Sequence, residues 1–337
     1  MRVFLLTLLI AVSASAAEQH DFVVHDFRFA SGETLATVNL HYATLGTKGN
    51  PAVLVMHGTG GSHAQFLNDH FAGVLFAPGG LLDASKYFII IPDALGHGRS
   101  SKPSDGLHAR FPHYGYEDIV ALQHRLVTEG LGIDHLYLVM GTSMGGMQTW
   151  MWGERWPAMM DHLVPLASVP TQIAGRNRIW RKMAIDAIRN DPTWNGGEYA
   201  AQPKQLASAL EFLLIATSSP LQWQKAAPTR DAADQWLADQ LKTRLAANDA
   251  NDLLYALEAS RDYDPEQRLE QIRAPLLAIN SADDFVNPPE LGILERLIKR
   301  VPHGRAIIVP ISDSTRGHGT HTWAAVWEKE LRAFLQR

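Results

Sequence analysis

The segment from His135 to Trp152, HLYLVMGTSMGGMQTWMW, constrains what this chain can fold into more than any other stretch. Leu136 to Met140 reads as a buried strand, and Met147, Trp150 and Met151 recur behind it at helical spacing. Between them, Gly141-Thr142-Ser143-Met144-Gly145 satisfies the pattern G-x-S-x-G, in which two glycines let a strand and a helix approach closely around a strained serine. The expectation is a strand, a sharp turn and a helix, with the Ser143 hydroxyl standing above a sheet. The pattern alone arises by chance in roughly one chain in ten of this length, so the flanking strand and helix carry the inference.

A parallel strand needs neighbours, and the chain supplies them. Ala52 to Met56 is a continuous apolar run that empties into His57-Gly58-Thr59-Gly60-Gly61-Ser62, and Tyr87 to Ile91 is another that closes with Pro92-Asp93. Leu163 to Ala167, Pro275 to Ile279 and Ala306 to Pro310 read the same way. Helical spacing fills the gaps at His63 to Phe76, Tyr116 to Leu131, Glu290 to Arg300 and Trp323 to Leu335. Alternating strands and helices predict an α/β fold, a mostly parallel sheet with helices on both faces, because parallel neighbours need crossovers that cover those faces. Ahead of it, Asp21 to Phe29 and Thr34 to Leu45 alternate about the turn Ala30-Ser31-Gly32-Glu33, which predicts an antiparallel hairpin at the sheet edge.

Residues 170–270 lack strand signals and are rich in Ala, Leu, Gln and Trp at helical spacing, which predicts an inserted helical cap. The division expected is a leader at 1–17, a first core segment at 18–169, the cap at 170–270 and a second core segment at 271–337. The leader has a charged start, a short apolar run and a small-residue end, as a secretory signal peptide does, with cleavage expected after Ala16 or Ala17. The mature chain is then expected in the periplasm or outside the cell. No other apolar run approaches the roughly 20 residues that span a bilayer, so no membrane span is expected after cleavage.

Composition narrows the chemistry. The 337 residues are 46% apolar, enough for a large core, and a net charge of −5 without a basic stripe argues against nucleic acid as a partner. Cysteine is absent, which excludes a disulfide, a thiolate nucleophile and Cys-ligated zinc. His57, His63, His108 and His113 flank two loops but lack a ligand spacing such as H-E-x-x-H, so no metal and no cofactor are expected. His57 is expected to be buried and hydrogen-bonded beneath the Gly-rich loop.

A serine hydroxyl becomes a useful nucleophile only with a base in hydrogen-bond reach and a third group that orients the base. On a sheet of this kind the acid and the histidine follow the serine in that order, each after a later strand. The loop after Ile279 offers two adjacent acids, Asp283 and Asp284; the strand-to-acid spacing usual in elbow-bearing sheets of this kind favours Asp284 and leaves Asp283 to bond within the turn. After Pro310 only His318 and His321 remain, and the glycine-flanked His318 is favoured over His321, which begins the last helix and is free to cap it or face solvent. The oxyanion donors expected are the backbone N–H groups of Thr59 and Met144.

With these residues in view, the chain resembles the α/β-hydrolase superfamily and, within it, the homoserine O-acetyltransferase group. The likeness is carried by Gly141-Thr142-Ser143-Met144-Gly145-Gly146-Met147-Gln148, by the helix Asp118 to Leu131, and by Asn190-Asp191-Pro192-Thr193-Trp194-Asn195-Gly196-Gly197-Glu198-Tyr199. It implies an α/β-hydrolase fold, a Ser143, Asp284, His318 triad and Thr59 and Met144 as oxyanion donors. Two departures fall on the acceptor side. Gly319 stands where the acetyltransferases typically place an Asp after the catalytic His, and Gly96-His97-Gly98-Arg99-Ser100-Ser101-Lys102-Pro103 replaces their Gly/Thr-rich loop. The function expected is therefore an exported serine hydrolase that acts on a small-molecule ester, thioester or lactone through an acyl-enzyme. An acyltransferase of the acetyltransferase type, or an idle binding protein on the same fold, is the alternative.

Overall fold

The computed structural model describes residues 17–336; the expected signal peptide lies almost wholly outside the described residues. Among the described residues eight strands form one sheet in the order β1-β2-β4-β3-β5-β6-β7-β8. They are β1 (Glu18–Arg28), β2 (Thr34–Leu45), β3 (Ala52–Met56), β4 (Phe88–Pro92), β5 (Leu136–Thr142), β6 (Met160–Leu166), β7 (Leu276–Ser281) and β8 (Gly304–Val309). The β1–β2 hairpin forms as the alternation predicts, and β2 pairs antiparallel with β4. From β4 to β8 every pairing is parallel.

The reason the central strands read as unbroken apolar runs is visible in where their side chains go. Leu54, Met56, Phe88, Ile90, Leu136 and Val139 enter one apolar cluster, whereas Val53, Val55, Ile89, Ile91, Leu138 and Met140 enter another. These are the two faces of one sheet, each covered by helices, so both sets of alternating side chains are buried. Burying each such side chain contributes about 1.5–3 kcal/mol.

The helices are α1 (Ala72–Leu75), α2 (Tyr116–Arg125), α3 (Met144–Arg155), α4 (Gly175–Arg189), α5 (Leu206–Ala216), α6 (Pro220–Ala226), α7 (Arg230–Ala247), α8 (Ala250–Glu258), α9 (Ile293–Leu297) and α10 (Glu328–Leu335). From α4 to α8 the chain runs without a strand between β6 and β7. Several expected helices are shorter than their spacing suggested. His63 to Phe76 splits into a 3-10 turn at His63–Phe66 and the single turn α1, because the Asn68 side chain accepts the His70 and Phe71 N–H groups and turns the chain between them. Glu290 to Arg300 breaks into short pieces around Gly292, whose φ is 63°. The Tyr116 to Leu131 helix ends in a π turn at Leu126–Gly130.

Glu154 in α3 is a stored conflict in this core. It is 8% exposed, its Oε2 has no partner among the described residues, and burial pushes its carboxyl up to about 7. The folded chain therefore holds this proton where the unfolded chain, near 4.5, releases it. Stability from this group is complete below about pH 4.5 and is lost as the pH rises through 7. Glu154→Gln is accordingly expected to raise Tm at pH 8 by a few degrees and to leave Tm at pH 4.5 almost unchanged. A fall in Tm at pH 8 would show that the ionised carboxyl is stabilised.

Candidate active site

The strand-to-helix turn after β5 has the strain its sequence demands. Ser143 sits at φ 55°, ψ −110°, a conformation that L residues adopt at a cost of about 1–3 kcal/mol and that persists only where the surroundings enforce it. Gly141 and Gly145 do the enforcing. A Cβ on Gly141 would lie 2.2 Å from the Gly145 carbonyl oxygen, and one on Gly145 would lie 2.0 Å from that of Met56 on β3. Only glycine lets α3 leave this close to β3 and β5. The Ser143 N–H donates to Leu166 O (2.9 Å), and the Gly145 N–H donates to His57 O (2.9 Å), so the turn is tied to both neighbours of β5.

Three expected residues from distant parts of the chain meet here. Ser143 Oγ is 2.8 Å from His318 Nε2, and His318 Nδ1 is 2.9 and 3.0 Å from the Asp284 carboxylate oxygens. Each residue follows the carboxyl end of a strand, Ser143 after β5, Asp284 after β7 and His318 after β8, where open α/β sheets place their sites. Burial alone would raise the Asp284 carboxyl. His318 beside it and the N–H groups of Val286 and Asn287 outweigh that and hold it below the usual carboxylate range. Asp284 is thus an anion sealed in the protein and aimed at the imidazole.

The competing residues have other partners. Asp283 accepts from the Ser281 hydroxyl and, at 2.9 Å, from the Gly317 N–H, so it bonds within the turn as expected and also anchors the loop that carries His318. His321 lies in a 3-10 turn at Gly319–Thr322 with its ring 5.1 Å from that of His318. Contrary to the expectation of a solvent-facing or capping side chain, its Nδ1 is sealed without a partner among the described residues. Burial, then the charge of His318, pushes its imidazole down to about 3. A group so depressed is neutral at any physiological pH.

The two expected oxyanion donors are N–H groups without a backbone acceptor among the described residues. Met144 is the first residue of α3, so its N–H has no intrahelical acceptor, and the Thr59 N–H has no partner among the described residues. His57 is buried beneath the Gly-rich loop as expected, 2.8 Å from Gly58 O through Nδ1, while its Nε2 accepts the Ala94 N–H at 2.9 Å.

Other residues around the site carry no motif and escaped the sequence reading. Gln65 donates to Thr142 Oγ1 (2.8 Å) and accepts from the Gly58 N–H (3.3 Å), bracing the Gly-rich loop against the turn. Asn287 donates to Ala167 O (2.8 Å), which fixes the acid loop to the end of β6. Arg181 of α4 is 2% exposed, has no carboxylate partner among the described residues, and donates to Ser260 Oγ at 3.4 Å. These are contacts between segments far apart in sequence, so no local spacing announces them.

A cavity of about 400 Å³ opens between the Gly-rich loop and the start of α8, lined by Gly60, Gly61, Ser62, Gln65, Asp249 and Asp252. A larger one, about 940 Å³, lies between α4 and the loop after Asp284 and includes Met147, Arg176 and Asn287; neither cavity is lined by Ser143 or His318. The smaller cavity borders the Gly-rich loop after β3, and the larger borders the loop that follows Asp284.

Comparison with known proteins agrees with the fold. Residues 51–310 match the family model described as alpha/beta hydrolase fold. A homoserine O-acetyltransferase from Pelobacter propionicus is 30% identical, with 91% of this chain and 93% of that protein covered. Another from Methanohalophilus mahii is 30% identical over 80% of this chain, which spans only 62% of that relative. Among solved structures, homoserine O-acetyltransferase from Bacillus anthracis superimposes with a TM-score of 0.84 at 22% identity, covering 96% of this chain and 98% of that one. An acetylester hydrolase from Corynebacterium glutamicum does so with 0.83 at 22% identity, covering 95% and 96%. The chain belongs to the alpha/beta hydrolase fold family and, within it, resembles the homoserine O-acetyltransferases.

Proposed function

We propose that this chain is an exported serine hydrolase acting on an ester, thioester or lactone. The observation that carries the reading is the continuous hydrogen-bonded chain from Ser143 Oγ through His318 to Asp284. His318 Nε2 takes the proton as Ser143 Oγ attacks the carbonyl, and the anionic Asp284 stabilises the imidazolium that results. The Thr59 and Met144 N–H groups receive the oxyanion. Collapse expels the alcohol or thiol, which leaves with the proton from His318, and an acyl-enzyme remains on Ser143. Water, deprotonated by His318, then releases the acid and restores the serine. Export rests on the composition of residues 1–17; no helix among the described residues is long and apolar enough to cross a membrane.

The relatives favour a second reading, transfer of the acyl group to homoserine. Gly319 argues against it. It occupies the position where the acetyltransferases typically carry an Asp, and the space beside it is open, with the nearest atom to an added Cβ, Arg316 Cβ, 3.9 Å away. A carboxylate would fit here and is not supplied. Loss of a charged partner for a buried ammonium costs about 3 kcal/mol, roughly a hundredfold in affinity.

Mature protein is therefore expected to hydrolyse p-nitrophenyl acetate, while homoserine barely raises thiol release from acetyl-CoA above the background with water. Saturable, homoserine-dependent release of coenzyme A, with O-acetylhomoserine identified by mass, would replace hydrolysis with transfer.

A further inference from the structure

Away from Ser143, three buried side chains with metal-binding chemistry converge. His41 on β2, His63 at the end of the Gly-rich loop and Asp93 just after β4 each offer one ligand atom, and these atoms lie within 4.8 Å of one another. The residues are 1%, 7% and 0% exposed. The two imidazole centroids are 5.2 Å apart, and the Asp93 N–H donates to His41 O at 2.8 Å, so backbone pairing of β2 with the end of β4 holds the cluster together.

His41 is oriented as a metal-ligating histidine usually is, with one ring nitrogen against a carboxylate outside the cluster that fixes the tautomer and leaves the other nitrogen's lone pair free, whereas His63 faces a carboxylate inside it, so its Nδ1 and that oxygen are the pair an ion would bridge. His41 Nδ1 is 2.9 Å from Asp21 Oδ1, and His63 Nδ1 is 2.9 Å from Asp93 Oδ1. His41 Nε2 is then left buried with no partner among the described residues. Such an acceptor is costly to leave unpaired. The charge balance points the same way. Asp21 and Asp93 have only these histidines as ion-pair partners, with no Lys or Arg within bridging distance among the described residues.

We propose that His41, His63 and Asp93 bind one divalent transition-metal ion of the zinc type. Two imidazoles and a carboxylate suit zinc rather than calcium or magnesium, which prefer all-oxygen shells. Zinc bonds of about 2.0–2.2 Å require ligand atoms roughly 3.4 Å apart, so binding draws His41 toward the other two and opens the His63–Asp93 pair, now 2.9 Å apart, slightly. The ion ties the β1–β2 hairpin and the end of β4 to the segment that follows Thr59. It stabilises that frame and takes no part in acyl transfer. The sequence points to no metal because His57, His63, His108 and His113 lack a ligand spacing, and nothing in the sequence links His63 to His41 more than twenty residues away.

The test uses the mature chain made without a histidine tag, stripped with chelator and titrated with zinc chloride by calorimetry. About one equivalent is expected to bind at micromolar or tighter affinity, and saturating zinc is expected to raise Tm by about 5 °C. His41→Ala and His63→Ala should lose binding, whereas His113→Ala, at an exposed histidine paired with Glu33, should retain it. Should those variants fail to fold, cobalt-loaded wild type serves, and intense visible bands of a tetrahedral ion are expected. No binding by wild type at about 100 μM zinc, weak binding of several ions, undiminished binding by folded His41→Ala protein, or a cobalt spectrum like that of the aqueous ion would each overturn the proposal.

Discussion

Ser143→Ala is expected to abolish turnover, lowering kcat on p-nitrophenyl acetate by about 10⁵–10⁶ while the protein remains folded. The effect is that large because Ser143 is both the atom donor and the covalent anchor; without its Oγ no acyl-enzyme forms and only oxyanion stabilisation of a direct water attack remains. The fold should survive. Alanine can occupy the same φ of 55° at no greater cost than serine, and the turn is held by backbone bonds to Leu166 and His57 that the substitution leaves intact. Near-normal turnover by a folded Ser143→Ala protein would remove the serine mechanism altogether.

The second large effect separates two adjacent aspartates. Asp284→Asn should lower kcat by roughly 10⁴, because an amide facing His318 Nδ1 permits the tautomer whose Nε2 carries the proton and cannot accept one from Ser143. Asp283→Asn should be far milder, since Asp283 contacts Ser281 and the Gly317 N–H and reaches His318 only through the loop. Its effect should appear as a modest loss, recovered in part because an amide oxygen still accepts from Gly317. Circular dichroism of both variants is needed beside the kinetics, as Asp284 also accepts the Val286 and Asn287 N–H groups. The reverse ranking in folded proteins would transfer the orienting role to Asp283.

How much of this was legible beforehand depended on whether the signal was local. The elbow was readable because its constraint is local. Gly141 and Gly145 are dictated by contacts within a few residues of Ser143 and with the adjoining strand. The five central parallel strands were readable because both of their faces are buried, which leaves an unbroken apolar run. His318 and Asp284 were readable from the order of strands, not from their own surroundings. What the sequence hid is tertiary. His321 stands in a plausible position to face solvent, yet the fold turns it against His318 and seals one nitrogen. The meeting of His41, on an edge hairpin, with His63 and Asp93 depends on β2 lying beside β4, an antiparallel pairing that no spacing encodes. Helix lengths were overestimated where side chains such as Asn68 outbid the backbone for its own N–H groups.

The central claim is that Ser143 is the reacting atom's owner, and one measurement addresses it directly: treatment of the mature protein with an active-site fluorophosphonate, followed by peptide mapping. A single phosphonylated residue, Ser143, is expected, with labelling suppressed in His318→Ala. A label on any other residue, or none on wild type that turns over ester, would contradict it.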